Sequence, residues 1–448
     1  MYLGIVYPSS ARRPCRAVSL HGFSLRMSSS SFVPPVVPCA LHVVGYLHGN
    51  DGITTHLMSL SDGVRRRGGT VGVASCVQAA PAYHVEDRGG DWYAAQGVPR
   101  FFVPFPDPQR PDRQSFDGLR ALRGLYDAVR EFRPDVLHLH SLSLFPYAWA
   151  VRGLTGVPIV STIHLEPDPR RSAVRLLGAV NRLLPLRPDG LIALCREQEA
   201  FFRSTLHARA EQIFRIPHGI DPAHFRPPQP SERAAARRQF GLSPDEPTVA
   251  MVGRLDPVKG HDVLIRALAR LHAQGRSVTA LFAGTGAGEA DIRRQVAEQG
   301  LTEAVRFLGF ADSREVLWAA DVSVLPSRRE AFPLVTLEAM LCGVVPIRTP
   351  ASGARDQIRD GETGFLIPFD DDQALADRLE RLIADPDRRV AMATAALHRA
   401  RTHFTADVMI DRTLAAYAAV SGGRRAQTLP LRADEAGARV PSLSVSTF

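Results

Sequence analysis

The chain has 448 residues, 45% of them hydrophobic and 22% charged, with 54 Lys plus Arg against 46 Asp plus Glu, a net charge of +8. That length exceeds one typical domain and suits two α/β domains, each with its own core, and the composition is that of a soluble globular protein. The positive excess sits at the ends: residues 1–40 carry four arginines and no acid, while residues 226–420 nearly balance, so there is no basic stripe with interleaved aromatics and no nucleic-acid partner is expected.

Five cysteines (Cys15, Cys39, Cys76, Cys195 and Cys342) are odd in number and show no CxxC spacing. This argues for a reduced, cytoplasmic protein without a disulfide framework or zinc knuckle. No uninterrupted apolar run reaches the roughly 18–20 residues of a membrane span. A weak peripheral contact at the inner face of the membrane stays open, because "RRR" at 65–67 could meet anionic headgroups, although a solvated helix end explains it more simply.

In chain order, residues 1–39 read as a leader outside the fold, with a second candidate start at Met27. Six strand-like runs then alternate with helix-length segments: "LHVVGYL" (41–47), "VGVAS" (71–75), "RFFVP" (100–104), "DVLHLH" (135–140), "PIVSTIH" (158–164) and "GLIALC" (190–195). Continuous apolar strands separated by helices are the sequence form of a parallel sheet covered on both faces. His138 and His140 sit two apart on one strand and face the same side. With His164 they could be imagined as a metal set, but such a pair on a strand more often packs, and no metal site is expected. The N-terminal, acceptor-side domain is placed at 40–222.

Residues 223–247 are proline-rich and read as a linker with one short helix. A second series, "TVAMVGR", "SVTALFAG", "VRFLGF", "DVSVLP", "VVPIRT" and "GFLIP", places a C-terminal domain at 248–420, closed by two helical patterns. Residues 421–448 read as a disordered tail. The fold class is therefore α/β, with two Rossmann-like, doubly wound parallel sheets facing a cleft in which ligands meet the carboxyl ends of the strands.

Lys259 is the only lysine in the chain; the other 53 basic residues are arginines. It lies in "VGRLDPVKGHD", in the turn from the strand "TVAMVGR" to a helix with Val263, Leu264, Ala267, Leu268 and Leu271 on one face. Free backbone N–H groups and the helix dipole favour an anion there. Arg254 lies at the strand end, and a guanidinium fork with a compact ammonium suits a diphosphate. Alone, this loop is equally explained by two solvated cations. Further on, "SRREAFPLVTLEAMLCG" carries Glu330 and Glu338. On one continuous helix they would share a face; if the helix starts near Pro333, Glu330 sits in the loop before it and points into the cleft.

"VGRLDPVKG", "IPHGIDPAHFRP", "VRFLGF" and "EAFPLVTLEAMLCGVVP", in this order and spacing, resemble retaining glycosyltransferases of family 4, the glycosyl transferases group 1, over about residues 41–420. The resemblance implies a GT-B fold, a nucleotide-diphosphate-sugar donor held mainly by the C-terminal domain, a hydroxyl acceptor, no cofactor, no metal in catalysis, and transfer with retention. It assigns Arg254 and Lys259 to the diphosphate, Glu330 to the donor sugar and Glu338 to the ribose. The backbone of Phe332, Pro333 and Leu334 would run along the sugar and diphosphate, and Gly309 and Phe310 would lie against the base. His164 would face the donor from the N-terminal side, and the Gly52 backbone would approach the phosphate. The first loop departs from the family's paired glycine with Asp51-Gly52, and Ser352 and Asp356 replace the more usual Gly and Glu.

Three rivals remain at this level. A nucleotide-sugar epimerase or a phosphorylase could share the two-domain plan, and an inactive nucleotide-sugar-binding protein could keep the fold. A dehydrogenase is disfavoured, because Gly284-x-Gly286-x-Gly288 lacks the G-x-G-x-x-G spacing.

Overall fold

A computed structural model describes residues 37–47, 52–76, 88–105, 114–164 and 187–422. Residues 1–36, where a leader is expected, Asp51, and residues 423–448, where a disordered tail is expected, lie outside the described residues. Residues 37–39 already belong to the body, since the Cys39 amide donates to Asp135 Oδ2 at 2.7 Å and Val37 packs against the core.

The first sheet has seven parallel strands: β1 (Ala40–Tyr46), β2 (Val71–Cys76), β3 (Arg100–Phe102), β4 (Val136–Leu139), β5 (Ile159–Thr162), β6 (Gly190–Ala193) and β7 (Ile213–Arg215), in the order β3-β2-β1-β4-β5-β6-β7. The second has six: β8 (Thr248–Val252), β9 (Thr279–Ala283), β10 (Val305–Gly309), β11 (Val322–Leu325), β12 (Val345–Arg348) and β13 (Phe365–Leu366), in the order β10-β9-β8-β11-β12-β13. All pairings between these strands are parallel. Central strands such as β4, β5 and β11 are buried along their whole length, which is why they read as unbroken apolar runs rather than alternating ones. The strand that sequence reading lacks is β7: three residues at a sheet edge, never fully buried, are too short to show a period.

The strand order reverses between β1 and β4 in the first sheet and between β8 and β11 in the second. Loops leaving those strands diverge and open a crevice at the carboxyl ends, the place where open α/β sheets bind ligands. The loops after β8 and β11 carry Lys259 and Glu330.

The segment expected as a linker is docked on the second sheet's side. Its helix, Pro230–Gln239, holds Arg233 on Asp321 at 2.8 Å, and the buried Arg237 donates to the carbonyls of Ser243 and Ala319. Chain order and spatial order part at the last helix, Ala406–Val420, which follows the second sheet yet packs on the first. Ile410 and Tyr417 are buried in the core with Leu57, Leu60 and Val136. Arg67, the last residue of the "RRR" run, is a structural clasp: it pairs with Asp411 at 2.7 Å and Asp407 at 3.0 Å on that helix.

The chain crosses outward and back at one place. Ile220 and Thr405 form a parallel bridge, the Ile220 amide donates to Phe404 O and the Ala406 amide to Ile220 O, each at 2.9 Å. A Cβ on Gly219 would lie 2.2 Å from Thr405 O, so only glycine allows this approach. Gly219→Ala is expected to separate the two strands and destabilise the protein by roughly 1–3 kcal/mol, as overpacked sites do, measured as a lower urea midpoint with an unchanged slope.

Candidate active site

The loop after β8 is shaped by its own residues. Asp256 caps a single 3-10 turn, Pro257–Lys259, by accepting from the Val258 amide at 2.9 Å. Gly260 then takes the left-handed conformation, φ 80°, before the helix His261–Ala273 begins. A Cβ on Gly260 would sit 2.2 Å from Pro326 O, so the turn presses directly on the backbone that follows β11. The Arg328 amide completes the join by donating to Val258 O at 2.8 Å.

This docking brings Lys259 Nζ within 2.7 Å of Glu330 Oε1, with side chains 19% and 10% exposed. The lone lysine is therefore held by one of the two glutamates. Arg254 remains 70% exposed, and its contact with Asp256 is 3.9 Å, so its guanidinium is available at the mouth of the crevice. The glycines of "AGTGAG" serve this loop: a Cβ on Gly284 would lie 2.0 Å from Gly253 O, and one on Gly286 2.3 Å from Leu255 O. They give the Arg254 loop a close backbone floor.

The helix Leu334–Leu341 starts directly after Pro333, so Glu330 lies in the loop and Glu338 on the helix. Of the two sequence alternatives, the loop placement is the one observed. Glu338 hydrogen-bonds Ser313, while burial, aided by the nearby Asp312 charge, pushes its carboxyl up to about 7. Ser313 follows closely on Gly309, which ends β10 at φ 61°, and on Phe310, a large apolar side chain left 60% exposed.

Ala331 and Phe332 are buried. Gly353 makes their loop possible, since a Cβ there would meet Ala331 O at 2.6 Å and the Phe332 ring at 2.7 Å. Gly52 opens the helix Gly52–Arg66, and a Cβ on it would lie 3.6 Å from Leu334 Cδ1. The starts of the helices Gly52–Arg66 and Leu334–Leu341 thus face each other across the two sheets. Asp356, a departure from the family pattern, takes a structural contact: it accepts from the Arg196 amide at 2.9 Å and pairs with its guanidinium at 3.0 Å.

His164 is partly exposed, and both of its ring nitrogens lie next to other histidines. Its Nε2 lies 3.0 Å from His140 Nδ1 and its Nδ1 lies 3.4 Å from His218 Nε2. Sequence reading also passed over His42, His56 and His218, which join this group, and Arg348. The Arg348 side chain is fully buried at the end of β12 and donates to Gln357 and the carbonyls of Ala351 and Ser352. Burial lowers its pKa to about 10 even with the Glu330 charge opposing. Its signal was present: "VVPIRT" puts a cation inside an apolar strand, and buried charges need partners.

Comparison with known proteins gives a consistent picture. Residues 50–224 match the family model Glycosyltransferase Family 4, and residues 232–399 match Glycosyl transferases group 1. D-inositol 3-phosphate glycosyltransferase of Actinosynnema mirum is 32% identical over 308 residues, 63% of this chain and 72% of that protein. Its namesake from Thermomonospora curvata is also 32% identical, over 63% of this chain and 71% of that one. Among solved structures, Anabaena HepE in complex with UDP and glucose superposes with a TM-score of 0.70 at 24% identity, covering 84% of this chain and 98% of that one. WaaG, a glycosyltransferase involved in lipopolysaccharide biosynthesis, gives 0.63 at 19% identity, over 86% and 100%. Both likenesses fix the fold as GT-B.

A carboxyl raised from 4.5 to about 7 in the fold binds its proton more tightly there than in the unfolded chain. The stability linked to it is present below pH 4.5 and is lost as pH rises towards 7. In Glu338→Gln that loss should vanish, so the difference in unfolding midpoint between mutant and wild type should grow from pH 5 to pH 7.5 in the mutant's favour.

Proposed function

Because this chain belongs to glycosyltransferase family 4, the glycosyl transferases group 1, we propose that it moves a sugar from a UDP-sugar to a hydroxyl acceptor with retention of configuration and without a metal in the transfer step. The observation that carries this reading is the Lys259–Glu330 pair, 2.7 Å long and set beside the exposed Arg254 at the reversal point of the second sheet. A nucleoside diphosphate sugar brings two negative charges and a ring of hydroxyls. The two cations take the charges, and the carboxylate takes a hydroxyl.

In the transfer step the bond between the anomeric carbon and the diphosphate oxygen breaks, and a bond from the acceptor oxygen forms on the same face. The acceptor proton passes to the departing diphosphate. Charge grows on that diphosphate as the sugar leaves, so preorganised cations there are worth more in the transition state than in the ground state. Arg254 and Lys259 are those cations. Glu338, next to the β10 loop, accepts from the ribose, and Phe310 lies against the base. Gly52 and Leu334 lend backbone N–H groups. His164 reaches a donor hydroxyl by giving up its 3.4 Å contact with His218, the longest in its group.

Relatives named for D-inositol 3-phosphate make a phosphorylated cyclitol the first acceptor to try. The chain, UDP-glucose or UDP-N-acetylglucosamine, and a panel of cyclitol and sugar phosphates are incubated with a chelator, and the product anomer is read by NMR. A new glycoside with the donor's anomeric configuration is expected. An inverted glycoside would overturn retention, activity abolished by the chelator would overturn metal independence, and an epimerised donor or a sugar phosphate formed from orthophosphate would replace the reading.

Two sets of variants follow. Lys259→Arg keeps the charge but puts a wide planar fork beside Gly260, where a narrow ammonium fits. It should keep the fold and lower kcat/KM by about tenfold or more, about 1.4 kcal/mol of transition-state stabilisation. A change within about twofold would mean that only the charge matters. Glu338→Gln should mainly weaken donor binding, whereas Glu330→Gln, which touches the reacting end and frees Lys259, should mainly lower kcat; steady-state kinetics separate the two.

A further inference from the structure

Six histidines from five segments converge beneath the carboxyl end of the first sheet. His42 Nδ1 lies 3.1 Å from His140 Nε2, His140 Nδ1 lies 3.0 Å from His164 Nε2, His164 Nδ1 lies 3.4 Å from His218 Nε2, and His218 Nδ1 lies 3.1 Å from His56 Nδ1. His138 stands beside them, with Tyr417 Oη at 2.6 Å from one ring nitrogen and Thr162 Oγ1 at 2.8 Å from the other. Five of the rings are buried, and His164 is partly exposed. Among the described residues the partners of these rings are other histidines and two hydroxyls, with no carboxylate among them, and burial without a counter-charge favours the neutral ring.

A neutral imidazole carries one N–H and one lone pair. The run His42–His140–His164–His218–His56 therefore closes its four contacts only when every ring donates in the same sense. That arrangement strands a nitrogen at each end: His42 Nε2 and His56 Nε2 are both buried without a partner. The group is two partners short, and neutral buried imidazoles are the form in which histidine binds metal.

We propose that His56, His140 and His164 bind a divalent transition ion of zinc type, a site that holds neither residue of the diphosphate clamp but shares His164 with the proposed donor contact. One nitrogen from each lies within 4.8 Å of the others. The 3.0 Å between His140 Nδ1 and His164 Nε2 is close to the roughly 3.3 Å that tetrahedral ligands at about 2.0–2.1 Å from zinc must keep. His56, whose Nε2 has no other partner, contributes the third nitrogen. His140 would then donate from Nε2 to His42 Nδ1, the outer contact that orients a metal-bound ring. His218 has one lone pair for two neighbours, so its 3.4 Å contact with His164 opens on metal binding. The partial exposure of His164 leaves a fourth position for water. The neighbouring trio His42, His138 and His140 also lies within 4.8 Å, but His138 would have to give up a hydroxyl partner to join.

The full chain, stripped with chelator and dialysed against micromolar Zn2+, should retain one ion measured by mass spectrometry. Co2+ in its place should give the visible bands of a tetrahedral site without a thiolate transition. His56→Ala and His164→Ala, each checked for native circular dichroism, should weaken binding by more than the roughly 10- to 100-fold that loss of an outer partner costs. Cys195→Ser tests the other candidate set, Cys195, Glu197 and Asp356, and should change nothing. No retained zinc, or equal retention by wild type and both histidine variants, overturns the proposal. These readouts need no donor or acceptor, so they stand apart from the transferase assay.

Discussion

The ion pair between Lys259 and Glu330 spans 71 residues of sequence and fastens the two loops that leave the reversal point of the second sheet. A pair this little exposed contributes little net stability, because stripping water from two charges offsets much of their attraction. Its effect is on geometry: losing either partner leaves the other charge stranded, so both loops keep one arrangement. Gly260 against Pro326 O and Arg328 N–H on Val258 O hold the same join from the backbone side. Gly284 and Gly286 then support the Arg254 loop from below, and Arg348 fills the space behind Glu330 with a second positive charge.

Support for this arrangement also comes from the first half of the chain. The helix Arg196–Ser204 begins with Arg196 on Asp356 and with Glu197 accepting from the Gly353 amide at 3.3 Å. Gly353 in turn bears on Ala331 and Phe332, next to Glu330. A contiguous chain of side-chain and backbone contacts therefore joins the first half of the chain to the loop that carries Glu330. On the other flank, Glu338 sits with Ser313 and Asp312 beside the β10 loop, where its own protonated and ionised forms offer a ligand different hydrogen-bonding partners.

Much of this was legible in the sequence because burial writes itself as pattern. Two series of unbroken apolar strands gave two parallel sheets, and a single lysine among arginines marked the turn whose width suits an ammonium. The edge strand β7 escaped because three half-exposed residues carry no period. In the proline-rich stretch 223–247 a short helix was legible, but not the docking of that helix, Pro230–Gln239, which Arg233 and Arg237 tie down through contacts more than 80 residues away. The histidine group was only half visible. His138 and His140 shared a strand face, but His42, His56 and His218 come from three other segments, and no local spacing reports that the fold brings them together. Arg348 was visible only as an anomaly, a cation in an apolar run, without a partner to name.

The bridge between Ile220 and Thr405 places the departure point of the second sheet's half beside its point of return. In topological terms that half is a cassette inserted into a loop of the first, and the final helix completes the host's core rather than its own. A cassette mounted on two adjacent strands has a short double tether, which permits rocking about the mount but resists sliding and free rotation. Its residues could be excised or exchanged with both cut ends already within bonding reach, and a circular permutant opened elsewhere on the surface would keep the mount intact.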